Sequence, residues 1–357
     1  MTHLQRFNEI FKNSDADAAL VSSEVNQTWI SDFEFQDGYV LVTKEKAYVI
    51  TDFRYVEAAH NELDKEFEIV IPGDMIAEIG AILARHGATK VIFEESTLPV
   101  ADLLKFEARL DGVTFSVGAS EMIDSLRVFK DEDEIAAISK AQEITDAAFD
   151  HIVKMITPNM TEIDVALELE YFMKKNGAKD KGFDIIAVSG RASSMPHGVP
   201  RNVKLQKGFL TMDYGALYDG YRSDMTRTVV IGKADEEMKR LYNTVLKAQC
   251  AALEVARPGY GCKALDKVAR DIIYTAGYEG CFGHGLGHGV GKYIHEAPRV
   301  SFAAPDDMLL KPGQIVTVEP GIYLSGKYGC RIEDMILITE DGIRNFTQSP
   351  KELIELC

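Results

Sequence analysis

Five short apolar runs rich in β-branched residues mark the first hundred positions: DAALVSS, YVLVT, KAYVITD, FEIVIPG and KVIFEES. Each is flanked by Gly, Pro, Asp or Ser, residues that end strands and open turns. Between them, residues 55–63 and 75–86 have helical character. Short strands alternating with helices leave few folds open, and the pattern predicts an α/β domain over roughly residues 1–120. That segment holds no nucleophile elbow, phosphate loop or metal motif. Asp52 and Arg54, in TDFRY, read as structural or interfacial rather than catalytic.

Near residue 125 the texture changes, and domains of residues 1–124 and 125–357 are expected. SLRVFKDEDEIAAISKAQEITDAAFDHIVKMI opens a long helix, capped by Asp131 with Glu134 three positions on. Ile135, Ile138, Ile144, Phe149, Ile152, Val153 and Ile156 keep mostly to one face of it. His151, in the same helix, is expected to be partly exposed. A second helix covers 161–176, with Thr161 as cap and Gly177 as stop, and two more cover 235–255 and 262–276. Strands come in hairpin-like sets between them: FLTMDYGALYDGYRSDMTRTVVIG, QIVTVEPGIYL and CRIEDMILITEDGI. The second domain is therefore α+β.

A net charge of −17 argues against nucleic acid or an anionic membrane as partner, because phosphate binding needs clustered Lys and Arg. No apolar run reaches the roughly 20 residues that span a bilayer. MTHLQRFNEIFKNSDAD lacks the layout of a signal peptide. The five cysteines (Cys250, Cys262, Cys281, Cys330 and Cys357) form no C-x-x-C pair, and reduced thiols in a cytoplasmic protein are the simplest reading.

Charged residues inside apolar strands carry the chemistry. Asp213 lies among Phe209, Leu210 and Met212, and Asp224 follows eleven positions later, so the intervening turn can set the two side by side across the ladder. Close carboxylates repel unless one is protonated or a cation sits between them; equally, each is an Asp at the end of a turn. Glu319 ends the buried strand IVTV, at a solvated strand end or at the mouth of a site. Arg331, Glu333 and Asp334 interrupt an otherwise apolar strand, where an Arg331–Glu333 or similar ion pair is the plainest account.

In GHGLGHGVGKYIHEAP, His284, His288 and His295 are spaced by four and then seven. The stretch completes no phosphate-loop fingerprint and contains no H-E-x-x-H. His197, in MPHGVP, is a fourth candidate. Two Asp, two Glu and one His make an oxygen-rich set suited to two divalent ions about 3.5–4 Å apart, clamping a water. Such ligation without thiolate points to Mn²⁺, Co²⁺, Zn²⁺ or Fe²⁺.

These segments, with SGRASSMPHG upstream and TDFRY in the first domain, resemble the pita-bread metallopeptidases. The likeness is to their Xaa-Pro branch, prolidase and aminopeptidase P. The resemblance implies an α/β creatinase-like N-terminal domain followed by an α+β pita-bread catalytic domain. It implies two divalent metal ions, Mn²⁺ foremost with Co²⁺ or Zn²⁺ as alternatives. Their ligands would be Asp213, Asp224, His288, Glu319 and Glu333, with Asp224 and Glu333 bridging. His197 and His295 would contact substrate and stabilise the tetrahedral intermediate, and Glu319 would also shuttle a proton. His284 and Arg331 would line the substrate pocket or stand just behind the ligands. Small proline-containing peptides are the implied substrates, and a homodimer the implied assembly.

Two departures qualify the likeness. Lys292 and Tyr293 stand where the Xaa-Pro branch often has Leu and an acid, and the lysine resembles methionine aminopeptidases. SDFEFQDG replaces the more usual SGFTGSDG. Arg299 follows HEAP, where some prolidases hold the substrate's C-terminal carboxylate; a surface ion pair is its other reading. The expected function is therefore an Xaa-Pro dipeptidase, with an Xaa-Pro aminopeptidase as alternative. A methionine aminopeptidase needs no large N-terminal domain, a creatinase-like hydrolase lacks the metal, and a non-catalytic binding module loses ligands and gains basic surface.

Overall fold

In the computed structural model, which describes residues 1–356, the chain divides into two units, Met1–Arg127 and Val128–Cys357. The first contains, in chain order, α1 (His3–Phe11), β1 (Ala18–Val21), α2 (Glu24–Ser31), β2 (Tyr39–Thr43), β3 (Ala47–Ile50) and α3 (Val56–Glu62). β4 (Phe67–Val70), α4 (Met75–Arg85), β5 (Lys90–Phe93), α5 (Val100–Arg109), β6 (Thr114–Val117) and α6 (Ala119–Arg127) complete it. The six strands form one mixed sheet in the order β4-β3-β2-β1-β5-β6.

Successive side chains of these strands enter different cores, as the twofold strand period requires. Ala19, Val21, Val40, Val42 and Val49 pack beneath Leu4, Phe7, Phe11, Trp29 and Ile123, whereas Leu20, Leu41, Tyr48 and Ile50 pack beneath Ile79, Ile82, Leu83 and Phe106. Helices therefore cover both faces, and the central strands β1, β2 and β3 read as continuous apolar runs because both their sides are buried. α1, α2, α5 and α6 are additions to the sequence reading, which found helical character only around α3 and α4. The exposed Arg54 forks onto Asp52 and also reaches Asp37 at 2.7 Å. That ion-pair cluster ties the turn to its neighbouring loop.

The second unit begins with α7 (Glu132–Met155) and α8 (Glu162–Lys175). Asp131 and Glu134 form the reciprocal capping box, and Thr161 caps α8. β7 (Asp180–Lys181), β8 (Ile186–Ser189), β9 (Gly208–Tyr214), β10 (Ala216–Tyr218), β11 (Tyr221–Arg222) and β12 (Met225–Ile231) follow. Next come α9 (Glu236–Val255), α10 (Cys262–Thr275), β13 (Gly287–Gly289), β14 (Glu296–Val300), β15 (Ile315–Val318) and β16 (Gly321–Leu324). The last strands are β17 (Tyr328–Arg331), β18 (Asp334–Ile338), β19 (Ile343–Asn345) and β20 (Glu355–Leu356). One sheet runs β20-β12-β9-β8 and another β14-β13-β15-β18-β19. β16 and β17 form a separate ribbon, and β11-β10-β7 a small sheet of their own. His151 is half-buried, with Nε2 2.7 Å from Glu168 and its ring stacked on Phe172.

Two expectations need correction. CRIEDMILI is not one strand: β17 and β18 belong to different sheets, and the chain bends between them at Ile332 and Glu333. The charges therefore sit at a strand junction rather than inside a core strand. The Arg331–Glu333 ion pair itself is not formed; the similar pair that the structure holds is Arg331 with Asp213. No helix among the described residues is long and apolar enough to cross a membrane. Cys250, Cys262, Cys281 and Cys330 form no disulfide, and Cys357 lies outside the described residues.

Glu162, fully buried at the start of α8, holds the two ends of the segment that carries His197. It accepts from Ser189 N and Oγ at 2.7 and 2.8 Å, and from Arg201 N, Nε and Nη2 at 3.0, 2.8 and 2.7 Å. Burial pushes this carboxyl up, but the Arg201 guanidinium and the Ser189 donors outweigh burial and hold it below its usual range. Glu162→Gln is expected to destabilise the protein by about 1–3 kcal/mol in denaturant unfolding at pH 7, because buried donors lose their acceptor. A depressed folded-state value stabilises above the unfolded one and loses that stabilisation as pH falls. The difference between wild type and variant should therefore shrink below about pH 4.

Candidate metal centre

Five carboxylate or imidazole side chains reach one place from separate elements. Asp213 comes from β9, Asp224 from the residue before β12, His288 from β13, Glu319 from just beyond β15, and Glu333 from the bend before β18. Asp213 is paired with Thr226 across the β9–β12 ladder, so Asp224, two positions before Thr226, shares its face diagonally. This corrects the side-by-side placement expected from the sequence. Between the two aspartates the chain makes the small β10–β11 hairpin. β15 and β18 pair from Ile315↔Leu337 to Val318↔Asp334, and one further step of that register sets Glu319 against Glu333.

Gly287 and Gly289 of GHGLGHG have a steric reason. A Cβ on Gly287 would stand 2.0 Å from the Thr317 carbonyl oxygen, and one on Gly289 would stand 2.1 Å from that of Ala297. His288 thus sits on a strand wedged between two backbones, where only its own side chain has room.

Asp224, His288 and Glu333, all buried, offer ligand atoms that lie within 4.8 Å of one another. His288 Nδ1 is 3.0 Å from the Gly289 carbonyl, which can only accept, so Nδ1 carries the proton. Nε2 then presents a lone pair to Asp224 Oδ2 at 3.6 Å and to Glu319 Oε1 at 3.5 Å. Lone pair facing carboxylate is repulsive unless a cation or a proton lies between. Burial holds His288 down at about 3, which keeps it neutral at ordinary pH. Burial, followed by Glu333, Asp213 and Glu319, raises Asp224 well above its usual range; burial followed by Glu319 and Asp213 does the same to Glu333. Glu319 is pushed up to about 8 by burial, against the opposing Arg331 charge.

Asp213 Oδ1 is buried and has no hydrogen-bond partner, while its Oδ2 accepts from Arg331 Nη2. Four crowded carboxylates, an orphaned carboxylate oxygen and an imidazole lone pair together fit divalent cations, and the hard oxygen set excludes thiolate-preferring ions.

A cavity of about 510 Å³ opens over this cluster, and every site residue expected from the sequence lines it. His197 and His295 are exposed at its wall, and the His295 ring stands edge-on to His288 at 4.4 Å. Burial and then the Arg299 charge hold His295 below its usual value, so it too is neutral. His284 places Nδ1 2.8 Å from the Gly285 carbonyl and Nε2 3.0 Å from the Tyr323 hydroxyl; burial, then Arg331, brings it down to about 4. Arg331 donates to Thr226 Oγ1 at 2.9 Å, to Tyr323 Oη at 2.8 Å and to Asp213, so its guanidinium is occupied by the protein. Arg299 has neither ion pair nor hydrogen bond among the described residues, and the surface ion pair offered as its other reading is absent.

Lys292 does not line the cavity. It is buried with its ammonium 4.4 Å from the centre of the Tyr221 ring. The sequence reading missed Thr226, which donates to Glu333 at 2.7 Å, as well as Thr317 and Tyr323. The twofold strand period was the available signal for Thr226, since it lies on the face of Asp224.

Comparison with known proteins follows the same division of the chain. Residues 136–340 match the model of metallopeptidase family M24, and residues 3–129 match the creatinase/prolidase N-terminal domain. An Xaa-Pro dipeptidase of Pyrococcus horikoshii is 39% identical over 97% of both chains. The structure of an Xaa-Pro dipeptidase from Bacillus anthracis superposes with a TM-score of 0.94 at 40% identity, covering 99% of each chain. That of an X-Pro aminopeptidase from Thermotoga maritima gives 0.91 at 34%, covering 98% of this chain and 99% of the other.

Divalent-metal removal provides the test of this electrostatic account. With chelator present, Asp224→Asn should unfold later than wild type, by about 1–2 kcal/mol, because one of the mutually repelling buried carboxylates is gone. With Mn²⁺ present the order should reverse, since the variant has lost a candidate ligand. Thermal unfolding in the two conditions reads both halves.

Proposed function

This chain belongs to metallopeptidase family M24, and from that premise we propose that it is an Xaa-Pro dipeptidase. The observation that carries the dipeptide reading is Arg299. Its unpartnered guanidinium lines the cavity from the position paired with His288 across β13 and β14. A cation on the wall of this cavity suits the C-terminal carboxylate of a two-residue substrate.

Asp213, Asp224, His288, Glu319 and Glu333 would hold two divalent ions, and we extend the proposal to Mn²⁺, a cytoplasmic location and a homodimer. When bound, such ions supply Lewis acidity, polarising a carbonyl and making a water acidic enough to attack it. The chain's own residues do the rest. His295 and His197, neutral at the cavity wall in the case of His295, offer N–H donors where the oxyanion of the tetrahedral intermediate develops. Glu319 carries a proton to the proline nitrogen, which leaves as a secondary amine. That nitrogen belongs to a tertiary amide without N–H, so the site must position the substrate through its ends and side chains. His284 stands at the pocket wall, and Arg331 orients Asp213 from behind.

In Mn²⁺, Ala-Pro should be hydrolysed and Ala-Pro-Ala left intact; release of Ala from the tripeptide would make the protein an aminopeptidase. Arg299→Gln should raise KM for Ala-Pro about tenfold or more, the loss of a charge-assisted bond, and leave the C-terminal amide of Ala-Pro unaffected. The histidines should separate in a second experiment. His288→Ala is expected to lower bound metal, whereas His295→Ala keeps metal and loses on the order of 10²–10³ in kcat. Metal analysis beside steady-state kinetics distinguishes them, and equal metal loss in both would sink the division of roles.

A further inference from the structure

Helix α10 carries a buried ion pair to which the reaction described above assigns no task. Asp266 and Arg270, one helical turn apart, meet through both carboxylate oxygens, Nε to Oδ2 at 2.7 Å and Nη2 to Oδ1 at 2.9 Å. Asp266 is fully buried and the Arg270 side chain is 12% exposed. Such a pair adds little net stability, since desolvation of the two charges offsets their attraction. The geometry of its remaining bonds shows what it holds.

Arg270 Nη1 donates to the Phe282 carbonyl at 2.6 Å, and Nη2 to the His284 carbonyl at 2.8 Å. Asp266 Oδ1 accepts the Leu286 N–H at 3.0 Å. All three bonds go to the segment 282–286, which precedes β13 and belongs to no strand. The ion pair thus fixes this backbone together with one strand-end bond, from Glu319 N–H to the Leu286 carbonyl at 2.8 Å. The guanidinium also lies against two rings, its carbon 4.2 Å from the centre of Phe282 and 4.7 Å from that of Phe302. Phe302 is about half exposed and forms part of the cavity wall with Phe183, Ile186 and Ile294.

We infer that Arg270, oriented by Asp266, is a positioning residue that sets His284 and the Phe302 wall, and that Phe302 selects an apolar side chain ahead of the scissile bond. The inference rests on the dipeptidase reading for its substrate and on the backbone bonds for its structural half. Lysine at this position keeps the charge but lacks the planar fork that serves one carboxylate, two carbonyls and two rings at once.

The test compares Mn²⁺-loaded full-length wild type, Arg270→Lys, Phe302→Ala and the double variant. Readouts are bound metal, hydrogen exchange, and kcat and KM for Leu-Pro and Gly-Pro. Arg270→Lys is expected to keep its metal, to lose exchange protection over 282–286, and to raise KM for Leu-Pro on the order of tenfold but for Gly-Pro less than about twofold. Phe302→Ala should give the same KM pattern with 282–286 still protected. In the double variant the Leu-Pro KM should be no worse than in Phe302→Ala, because both changes act through one wall. Unchanged protection in Arg270→Lys, equal kcat loss on both substrates, or loss of metal would overturn the inference. Phe302→Ala lies at the rim and decides the specificity half even if Arg270→Lys fails to fold: an unchanged Leu-Pro KM refutes it. Wild type inactive on both dipeptides would sink the dipeptidase reading and the substrate half with it. The exchange comparison would still decide whether Arg270 positions the segment.

Discussion

The second unit is organised around one electrostatic demand: four carboxylates and an imidazole lone pair are turned toward the same buried point. Nothing in the local backbone rewards that arrangement. Burial disfavours the charges of Asp224, Glu319 and Glu333, and the neighbouring carboxylates disfavour them again. A cation at the centre reverses the sign of these terms, so ligand binding and the integrity of this part of the fold are one problem. The surrounding hydroxyls and the Arg331 guanidinium fit the same logic. Arg331 occupies one oxygen of Asp213 and leaves the other without a hydrogen-bond partner, while Thr226 and Thr317 donate to Glu333 and Glu319.

Two sheets share the work of bringing these groups together. β9 and β12 set the aspartates on one face through the ordinary twofold period, whereas Glu319 and Glu333 sit where β15 and β18 stop pairing. Groups at strand ends are free of the ladder and can turn toward a common point. This is why charges that look misplaced in an apolar run need not enter a core. Behind them, α9 and α10 bury their apolar faces against both sheets through residues such as Val245, Leu265 and Ile273.

Much of this was legible in the residue order. Asp213, Asp224 and Glu333 stand out because charged side chains are rare in apolar runs, and His284, His288 and His295 because their glycines have no role in a plain strand. The α/β character of the first unit follows from strand-like runs spaced by helices. What was not legible depended on three dimensions. The helices α1, α2, α5 and α6 were passed over although the shorter α3 was read, so their length does not account for it. The break between β17 and β18 is invisible because CRIEDMILI carries neither Gly nor Pro inside it. Lys292 looked like a clue to specificity, yet the chain turns it away from the cavity and over Tyr221. Arg270 gave no signal at all: its partners are backbone carbonyls and rings that only the fold assembles.

β13 is three residues long and has a neighbouring carbonyl oxygen where a side chain on either flanking glycine would begin. Diversification of this scaffold is therefore closed along that strand, because a side chain at Gly287 would push β13 off β15 and one at Gly289 would push it off β14. New substrate preferences have to be written on the opposite walls, in residues such as Phe183, Ile186, Ile294 and Phe302. The metal-facing strand and the substrate-facing walls can then change at very different rates within a single cavity.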